Sequence, residues 1–279
     1  MTEIVLPSGN IMPTFGLGTW YMGESRRTKQ QEVNALRCGI EHGARLIDCA
    51  EMYAEGGAEE VVGEAIKGVR EQLYIVSKVY PHNAGRKQII QACENSLKRM
   101  KTDVLDLYLL HWCGRVPFEE TLAGFHTLKE QGKIRDFGVS NLDMNELLEW
   151  ESTDIEGLTA TNQVLYNLQR REAEWAVLPF CQQRNMAMMA YCPLAQGDLL
   201  FDPTLTEIAL RHNATPAQIA LAWLLRQPNV VAIPKSSDLV RTKENIEAQQ
   251  IVLDADDLNQ LDHAFPSPTS AREARLGMV

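Results

Sequence analysis

The stretch LYIVSKVYPHNAGRKQIIQACENSLKRMKTDVLDLYLLHW, residues 73–112, decides the fold. Two nearly continuous apolar runs, LYIVSKVY and VLDLYLLHW, flank a helical segment from Arg86 to Met100. A strand that is apolar along its whole length is covered on both faces, as happens in a parallel sheet whose strands are joined by crossover helices. The stretch therefore reads as one β-α-β unit.

The alternation continues in both directions. Upstream lie FGLGTW with a helix from Lys29 to His42, then LIDCA with the helix of AEEVVGEAIKGV. Downstream, VLDLYLLHW is followed by FEETLAGFHTLKEQG, IRDFGVSN by MNELLEW, and TNQVLYN by a helix around AEWAVLPFCQQ. MAMMAYCP then leads to a helix over Pro216 to Arg226, and VVAIPK to one over Arg241 to Ala248. Eight β-α units in roughly 250 residues predict a closed (β/α)₈ TIM barrel, class α/β, rather than an open sheet. IVLPSGNIMP adds an N-terminal β-hairpin around a Ser-Gly-Asn turn, and LDADDLNQLDHAF an extra C-terminal helix with an Asp-rich start. The tail PSPTSAREARLGMV is expected to fold over the barrel. No Pro, Gly or Ser-rich linker divides the chain, so residues 1–279 read as one domain.

Composition narrows the function classes. The 279 residues are 45% hydrophobic, enough for a sizeable core. The formal net charge of −10, with no basic run, argues against a general nucleic-acid binder, which needs clustered Lys and Arg. Six cysteines and six histidines are scattered without C-x-x-C or H-x-x-x-H spacing, so neither a disulfide framework nor a metal site is indicated. The opening MTEIVLPSGN lacks a basic region followed by an apolar stretch, and no run of about 18 apolar residues occurs. The expectation is an unexported, cytoplasmic protein with no membrane association, acting as a monomer.

In such a barrel the chemistry lies at the carboxyl ends of the strands. The apolar runs end on Trp20, Asp48, Lys78, His111, Ser140 with Asn141, Gln163, Tyr191 and Lys235, every one polar, charged or aromatic. Eight strand ends converge on one rim, which gathers these groups into one pocket. Asp48, Tyr53, Lys78 and His111, on adjacent strands, suggest proton transfer. A tyrosine, with an ordinary pKa of about 10, works near neutrality if a neighbouring ammonium favours its phenolate. Lys78 is the candidate ammonium, Asp48 would hold it charged and in place, and His111 would orient a substrate oxygen. Trp20, Tyr21 and Trp112 would wall the substrate pocket beside them with aromatic rings.

On the far side, IPKSSDLVRTKEN carries a Lys-Ser turn before a helix with Arg241. A phosphate site after strands 7 and 8, at a helix N-terminus, recurs in these barrels, and Lys235 with Arg241 adds two positive charges. GLGTW is at most half of a dinucleotide fingerprint and lacks the βαβ spacing that would make it one.

These residues resemble the aldo-keto reductase superfamily over essentially the whole chain. GARLIDCAEMY with EEVVGEA looks like its first signature, LDLYLLHW carries its histidine, and IVSKV, GVSN, TNQVLYN and AYCPLAQG follow in family order. IPKSSDLVRTKEN is similar to its C-terminal signature. The GTWYMGE and AEMYAEGGAEEVVGEA stretches look most like bacterial methylglyoxal reductase-type members. The resemblance implies a catalytic tetrad of Tyr53 as proton donor, Lys78 and Asp48 as its tuning pair, and His111 as substrate orienter. It also implies NADPH, oxidised to NADP+, as cofactor. Ser140, Asn141 and Gln163 would hold the nicotinamide carboxamide and Tyr191 would stack on the ring. Lys235, Ser236 and Arg241 would take the 2′-phosphate, and Glu244 and Asn245 would lie near the adenine. Thr19, Trp20, Asp48, Leu194, Gln196, Gly197 and Ser237 complete the cofactor contacts that it implies. Two departures stand out: Ala44 replaces an aromatic common in the family, and EGGAEE is a longer connection after Tyr53 than usual.

The expected function is NADPH-dependent reduction of aldehydes or ketones to alcohols, favouring small 2-oxoaldehydes such as methylglyoxal. Two rivals remain. A Schiff-base aldolase on the same fold would use Lys78 as its nucleophile, and a non-catalytic NADP(H)-binding barrel would serve as a regulatory subunit.

Overall fold

A computed structural model describes residues 3–270, 272 and 274–278. Glu3–Val5 (β1) pairs antiparallel with Ile11–Pro13 (β2) as the expected hairpin, its turn closed by Leu6 donating to the Asn10 carbonyl at 2.9 Å. Eight parallel strands follow: Gly16–Gly18 (β3), Leu46–Asp48 (β4), Tyr74–Val79 (β5), Leu105–Leu110 (β6), Ile134–Ser140 (β7), Thr161–Leu165 (β8), Ala187–Tyr191 (β9) and Val230–Ala232 (β10). Each pairs with the next in chain order. Bridges from Phe15 to Ala232 and from Gly18 to Lys235 bring β10 back to β3 and close the ring.

The glycines of GLGTW serve that closure rather than a phosphate. A Cβ on Gly18 would come within 2.7 Å of the Ile233 carbonyl oxygen, and one on Gly16 within 2.3 Å of Leu46 Cδ2. A bare backbone at Gly18 lets the first strand approach the chain after the last so closely, and at Gly16 it makes room for the Leu46 side chain of β4.

Helices Lys29–Glu41 (α1), Gly57–Ala65 (α2), Gln88–Met100 (α3), Phe118–Glu130 (α4), Met144–Thr153 (α5) and Val177–Gln183 (α6) cover the barrel, with Pro216–Leu225 (α8) and Leu239–Glu247 (α9) completing the ring. Pro203–Arg211 (α7) has no counterpart in the sequence reading. It starts as capping chemistry dictates: the Asp202 carboxylate accepts from the N–H groups of Thr204 and Leu205, and Pro203 takes the first helical position. Ala255–Ala264 (α10) is the extra C-terminal helix, begun by a capping box between Asp254 and Asp257. Buried Arg171 ties it to the barrel through Asp262 (2.7 Å) and the Phe265 carbonyl (2.5 Å). The tail does return over the barrel: Leu276 packs on the outer core and Met278 reaches the main cavity.

The core has two layers. Ile75, Tyr108, Phe137 and Val164 point outward under the helices, whereas Leu46, Val76, Leu107, Leu109 and Met189 fill the barrel with Ile4, Leu6 and Met12 from the hairpin. The hairpin thus plugs the amino-terminal end and leaves the carboxyl end open. Side chains alternate across a strand with period two. From the inward Leu46, Val76, Leu109 and Met189, that parity carries Asp48, Lys78, His111 and Tyr191 to the inner face at the carboxyl rim.

Candidate active site

At the carboxyl rim a cavity of about 920 Å³ runs from Tyr53 and His111 to Lys235 and Arg241. Asp48, Tyr53 and His111 line one end with Trp20, Tyr21 and Trp112. Ser140, Asn141, Gln163 and Tyr191 follow along it. Thr19, Leu194, Gln196 and Gly197 also line it, and Lys235, Ser236, Ser237, Arg241, Glu244 and Asn245 surround the other end. Every residue expected at the site therefore faces this cavity except Lys78, which lies directly behind it.

Lys78 is fully buried. An isolated ammonium there would be costly, so it must be paired and hydrogen-bonded. Its Nζ donates to Asp48 Oδ2 at 2.7 Å and Oδ1 at 2.9 Å, to the Cys49 carbonyl at 2.8 Å, and to the Tyr53 hydroxyl at 3.2 Å. Asp48 is held from the other side by Gln163, whose Nε2 donates to Oδ1 at 2.8 Å. One Gln163 amide N–H therefore serves the ion pair, while the same side chain lines the cavity beside Asp48. The enclosure of Lys78 also removes the support for a Schiff-base aldolase, because the amine cannot meet a carbonyl in the cavity.

Tyr53 enters the cavity on an unusual turn. Ala54 and Glu55 both have φ +51° and Gly56 φ +90°, three consecutive left-handed residues between Tyr53 and α2. This is how the long EGGAEE connection is accommodated: Tyr80 N–H donates to Glu51 at 2.7 Å, and the Arg99 side chain packs so near Gly56 that a Cβ there would come within 2.5 Å of it. The Tyr53 ring meets His111 edge to face at 5.9 Å and lies 4.9 Å from the Lys78 ammonium. The other departure, Ala44, is buried in the outer core and lies away from the cavity lining.

Burial pushes the Tyr53 hydroxyl well above the ordinary tyrosine range, and the Asp48 carboxylate adds to the effect. The direction is opposite to the one expected from Lys78, whose charge is already committed to both Asp48 oxygens. The phenol is therefore protonated in the resting pocket. Burial, with Lys78 adding to it, pushes His111 down to about 2, so its ring is neutral. His111 Nδ1 is buried without a hydrogen-bond partner, which leaves Nε2 as the ring nitrogen open to a bound molecule.

Along the middle of the cavity, Asn141 (φ +60°) donates to the His111 carbonyl at 3.1 Å and accepts from the Tyr191 hydroxyl at 2.9 Å. Ser140 Oγ donates to the Gln163 carbonyl at 2.9 Å. At the far end, Lys235 and Arg241 are exposed to the opening. The Arg241 backbone N–H is taken by the Asp238 carboxylate at 2.9 Å, so the first turn of α9 is already capped. An anion there would rely on the two cationic side chains rather than on the helix end.

Sequence reasoning missed Gln31, Met52, Cys192, Thr215 and Met278, which also line the cavity. Gln31 arrives from α1 and donates to the Ser237 carbonyl at 3.1 Å, and Met278 arrives from the tail. Neither carries a local signal, since one reaches the site from a helix and the other from the tail, not from a strand end.

The cavity suits a dinucleotide. It has a volume of about 920 Å³, two cations at one end, and a proton-bearing phenol with amide and hydroxyl groups at the other. The model for the Aldo/keto reductase family matches residues 14–265. Methylglyoxal reductase YeaE of Escherichia coli (strain K12) is 50% identical over 267 residues, covering 94% of each chain. Glyoxal reductase of Bacillus subtilis (strain 168) is 36% identical, covering 93% of this chain and 91% of that protein. The crystal structure of an aldo-keto reductase from Klebsiella pneumoniae in complex with NADPH superposes with a TM-score of 0.96 at 47% identity, covering all of both chains.

Proposed function

This chain belongs to the aldo/keto reductase family and is an NADP-dependent oxidoreductase, and from that premise we propose that it reduces small 2-oxoaldehydes such as methylglyoxal, with Tyr53 as proton donor. The observation that carries the reading is the Tyr53 hydroxyl, held at the cavity 3.2 Å from buried Lys78. NADPH, when bound, supplies the hydride. The chain itself must deliver a proton to the carbonyl oxygen, orient that oxygen and keep the reacting carbon near the nicotinamide.

Tyr53 is suited to the proton because it is protonated at rest, and because the phenolate left behind would have the Lys78 ammonium beside it. A neutral His111 whose Nδ1 has no acceptor carries its one proton on Nε2, from which it donates to the substrate oxygen. The proton from Tyr53 and the hydride together convert the carbonyl to an alcohol. Ser140, Asn141 and Tyr191 would line the nicotinamide, and Lys235, Ser236 and Arg241 the 2′-phosphate, with Glu244 and Asn245 beside the adenine. Leu194, Gln196 and Gly197 would close over the middle.

The substrate end supports a compact, neutral carbonyl compound. Trp20 and Tyr21 stack at 4.5 Å, Trp112 packs against His111 at 4.8 Å, and Asp48, its charge already paired, is the one ionised side chain lining that end among the described residues. The relatives named for methylglyoxal and glyoxal point to the same class. A panel of methylglyoxal, glyoxal, propionaldehyde and pyruvate, followed by NADPH oxidation, tests it. The expected order of kcat/KM places the two dicarbonyls first and the anionic pyruvate last; a preference for pyruvate would refute the assignment.

A further inference from the structure

The chain leaves β9 by an unusual path. In the ladder, the Ala190 carbonyl accepts from Ile233 and the Tyr191 carbonyl from Tyr166, both at 3.4 Å. At the next residue the pattern stops, because Cys192 has φ +48°. Ala195 (φ +47°), Gln196 (φ +55°) and Gly197 (φ +102°) follow in the same left-handed region. Three of these four carry a side chain that disfavours this conformation, and no Pro or Gly at those three compensates. Such a backbone persists only where its surroundings over-determine it.

Within the stretch Gly197 N–H donates to the Leu194 carbonyl at 2.8 Å, and one buried residue from outside holds its start. Asn167, buried in the turn after β8, donates through Nδ2 to the Cys192 carbonyl at 2.8 Å. Its Oδ1 accepts from the Gln169 N–H at 2.9 Å, and its own N–H bonds the Arg170 carbonyl at 3.2 Å, so the donor cannot swing away. The same Cys192 carbonyl accepts from Ala195 N–H at 3.0 Å. Both left-handed ends of the Cys192–Ala195 turn thus hang on one oxygen that Asn167 fixes. Leu194 within the turn, and Gln196 and Gly197 immediately beyond it, line the cavity, whereas Asn167 does not.

We propose that Asn167 is a positioning residue for the nicotinamide cofactor: by clamping the Cys192 carbonyl it sets the left-handed path that places Leu194 to Gly197 over the bound dinucleotide. The inference rests on the assignment of that rim to the cofactor. Because the hydrogen bonds of Asn167 go to Cys192, Gln169 and Arg170 and not to Lys235 or Arg241, Asn167 acts on NADPH and NADH alike.

Asn167→Asp keeps the acceptor for Gln169 and replaces the donor to Cys192 with a carboxylate oxygen that repels its carbonyl; Asn167→Ala removes both groups. Titration of each variant with NADPH and NADH, read by tryptophan fluorescence, should show both dissociation constants raised about tenfold, by the same factor, with faster release in stopped flow. Adding Cys192→Gly to Asn167→Ala should recover most of the affinity, since glycine takes the left-handed conformation without a clamp. Unchanged affinity in Asn167→Asp with cooperative unfolding retained overturns the inference, as does a loss that Cys192→Gly leaves untouched. Arg241→Ala is the control: if it weakens NADPH while Asn167→Asp does not, only the role of Asn167 fails. If neither variant weakens NADPH, the placement of the cofactor fails with it.

Discussion

The Tyr53 hydroxyl lies 3.2 Å from the Lys78 ammonium and, unlike that ammonium, lines the cavity. Tyr53 is thus the group through which the buried ion pair can act on a substrate. Removing its hydroxyl alone, by Tyr53→Phe, should lower the rate of carbonyl reduction by a factor of about 10² to 10⁴, the usual contribution of a positioned acid. NADPH affinity should change little. In the wild type the raised pKa keeps the donor form through the neutral range and lets activity fall only at alkaline pH, as the phenol ionises. Single-turnover kinetics decide the matter: a variant within tenfold of wild type, about 1.4 kcal/mol of barrier, excludes Tyr53 as the principal acid.

Lys78 and Asp48 have side chains almost without solvent exposure, at 0% and 3%, and each is the other's counter-ion. Lys78→Met leaves a buried carboxylate with only Gln163 to hold it, which should cost about 3 to 5 kcal/mol of stability. Asp48→Asn in the same chain removes the stranded charge and should recover much of that loss while activity stays low. Urea denaturation of both single variants and the double variant measures the coupling; additive losses would mean that the two charges are not a pair in solution.

Much of this arrangement is legible in the sequence, for a physical reason. Asp48, Lys78, His111 and Tyr191 interrupt or end apolar runs, and a polar group at the end of a fully buried strand has nowhere to go except the rim of the barrel. Helix α7 was missed because its apolar positions Leu205, Ile208 and Ala209 are few, although Asp202-Pro203 marks its start. The Gln163–Asp48 bond spans 115 positions and depends on ring closure, which no local pattern encodes. Left-handed backbone at Ala54, Glu55, Cys192 and Gln196 is equally silent, because neither Gly nor Asn stands at those positions to announce it. The direction of the Tyr53 shift is not legible locally either, because burial, which depends on the whole fold, outweighs the nearest charge.

His111 makes stability depend on pH. The folded ring declines a proton until about pH 2, whereas an unfolded histidine takes one near about pH 6.5. Below that pH the unfolded chain binds the additional proton, so this residue's contribution falls as pH falls. Between about pH 7.5 and about pH 5 the loss should reach about 2 kcal/mol. His111→Gln cannot titrate, so its stability relative to wild type should improve by that amount over the same interval in urea melts. A difference that stays constant with pH would show that folded His111 takes up its proton over the same range as the unfolded chain.

Cofactor choice follows from charge at the far end of the cavity. Arg241 presents a planar fork able to grip a phosphate at two points, and Lys235 adds a compact second charge. Both are exposed there, and neither can gain anything from a ribose that lacks the phosphate. The end of α9 does not substitute for them, because Asp238 already occupies the Arg241 N–H. Charge-assisted hydrogen bonds contribute about 1.5 to 3 kcal/mol, so Arg241→Ala should weaken NADPH by about ten- to a hundredfold and leave NADH nearly unchanged. Wild-type affinity for NADPH should also decline with added salt more steeply than that for NADH, since an open site is screened. Both dissociation constants are measurable by quenching of tryptophan fluorescence. Equal losses for the two cofactors would remove Arg241 from the 2′-phosphate and reduce it to the residue whose N–H Asp238 caps.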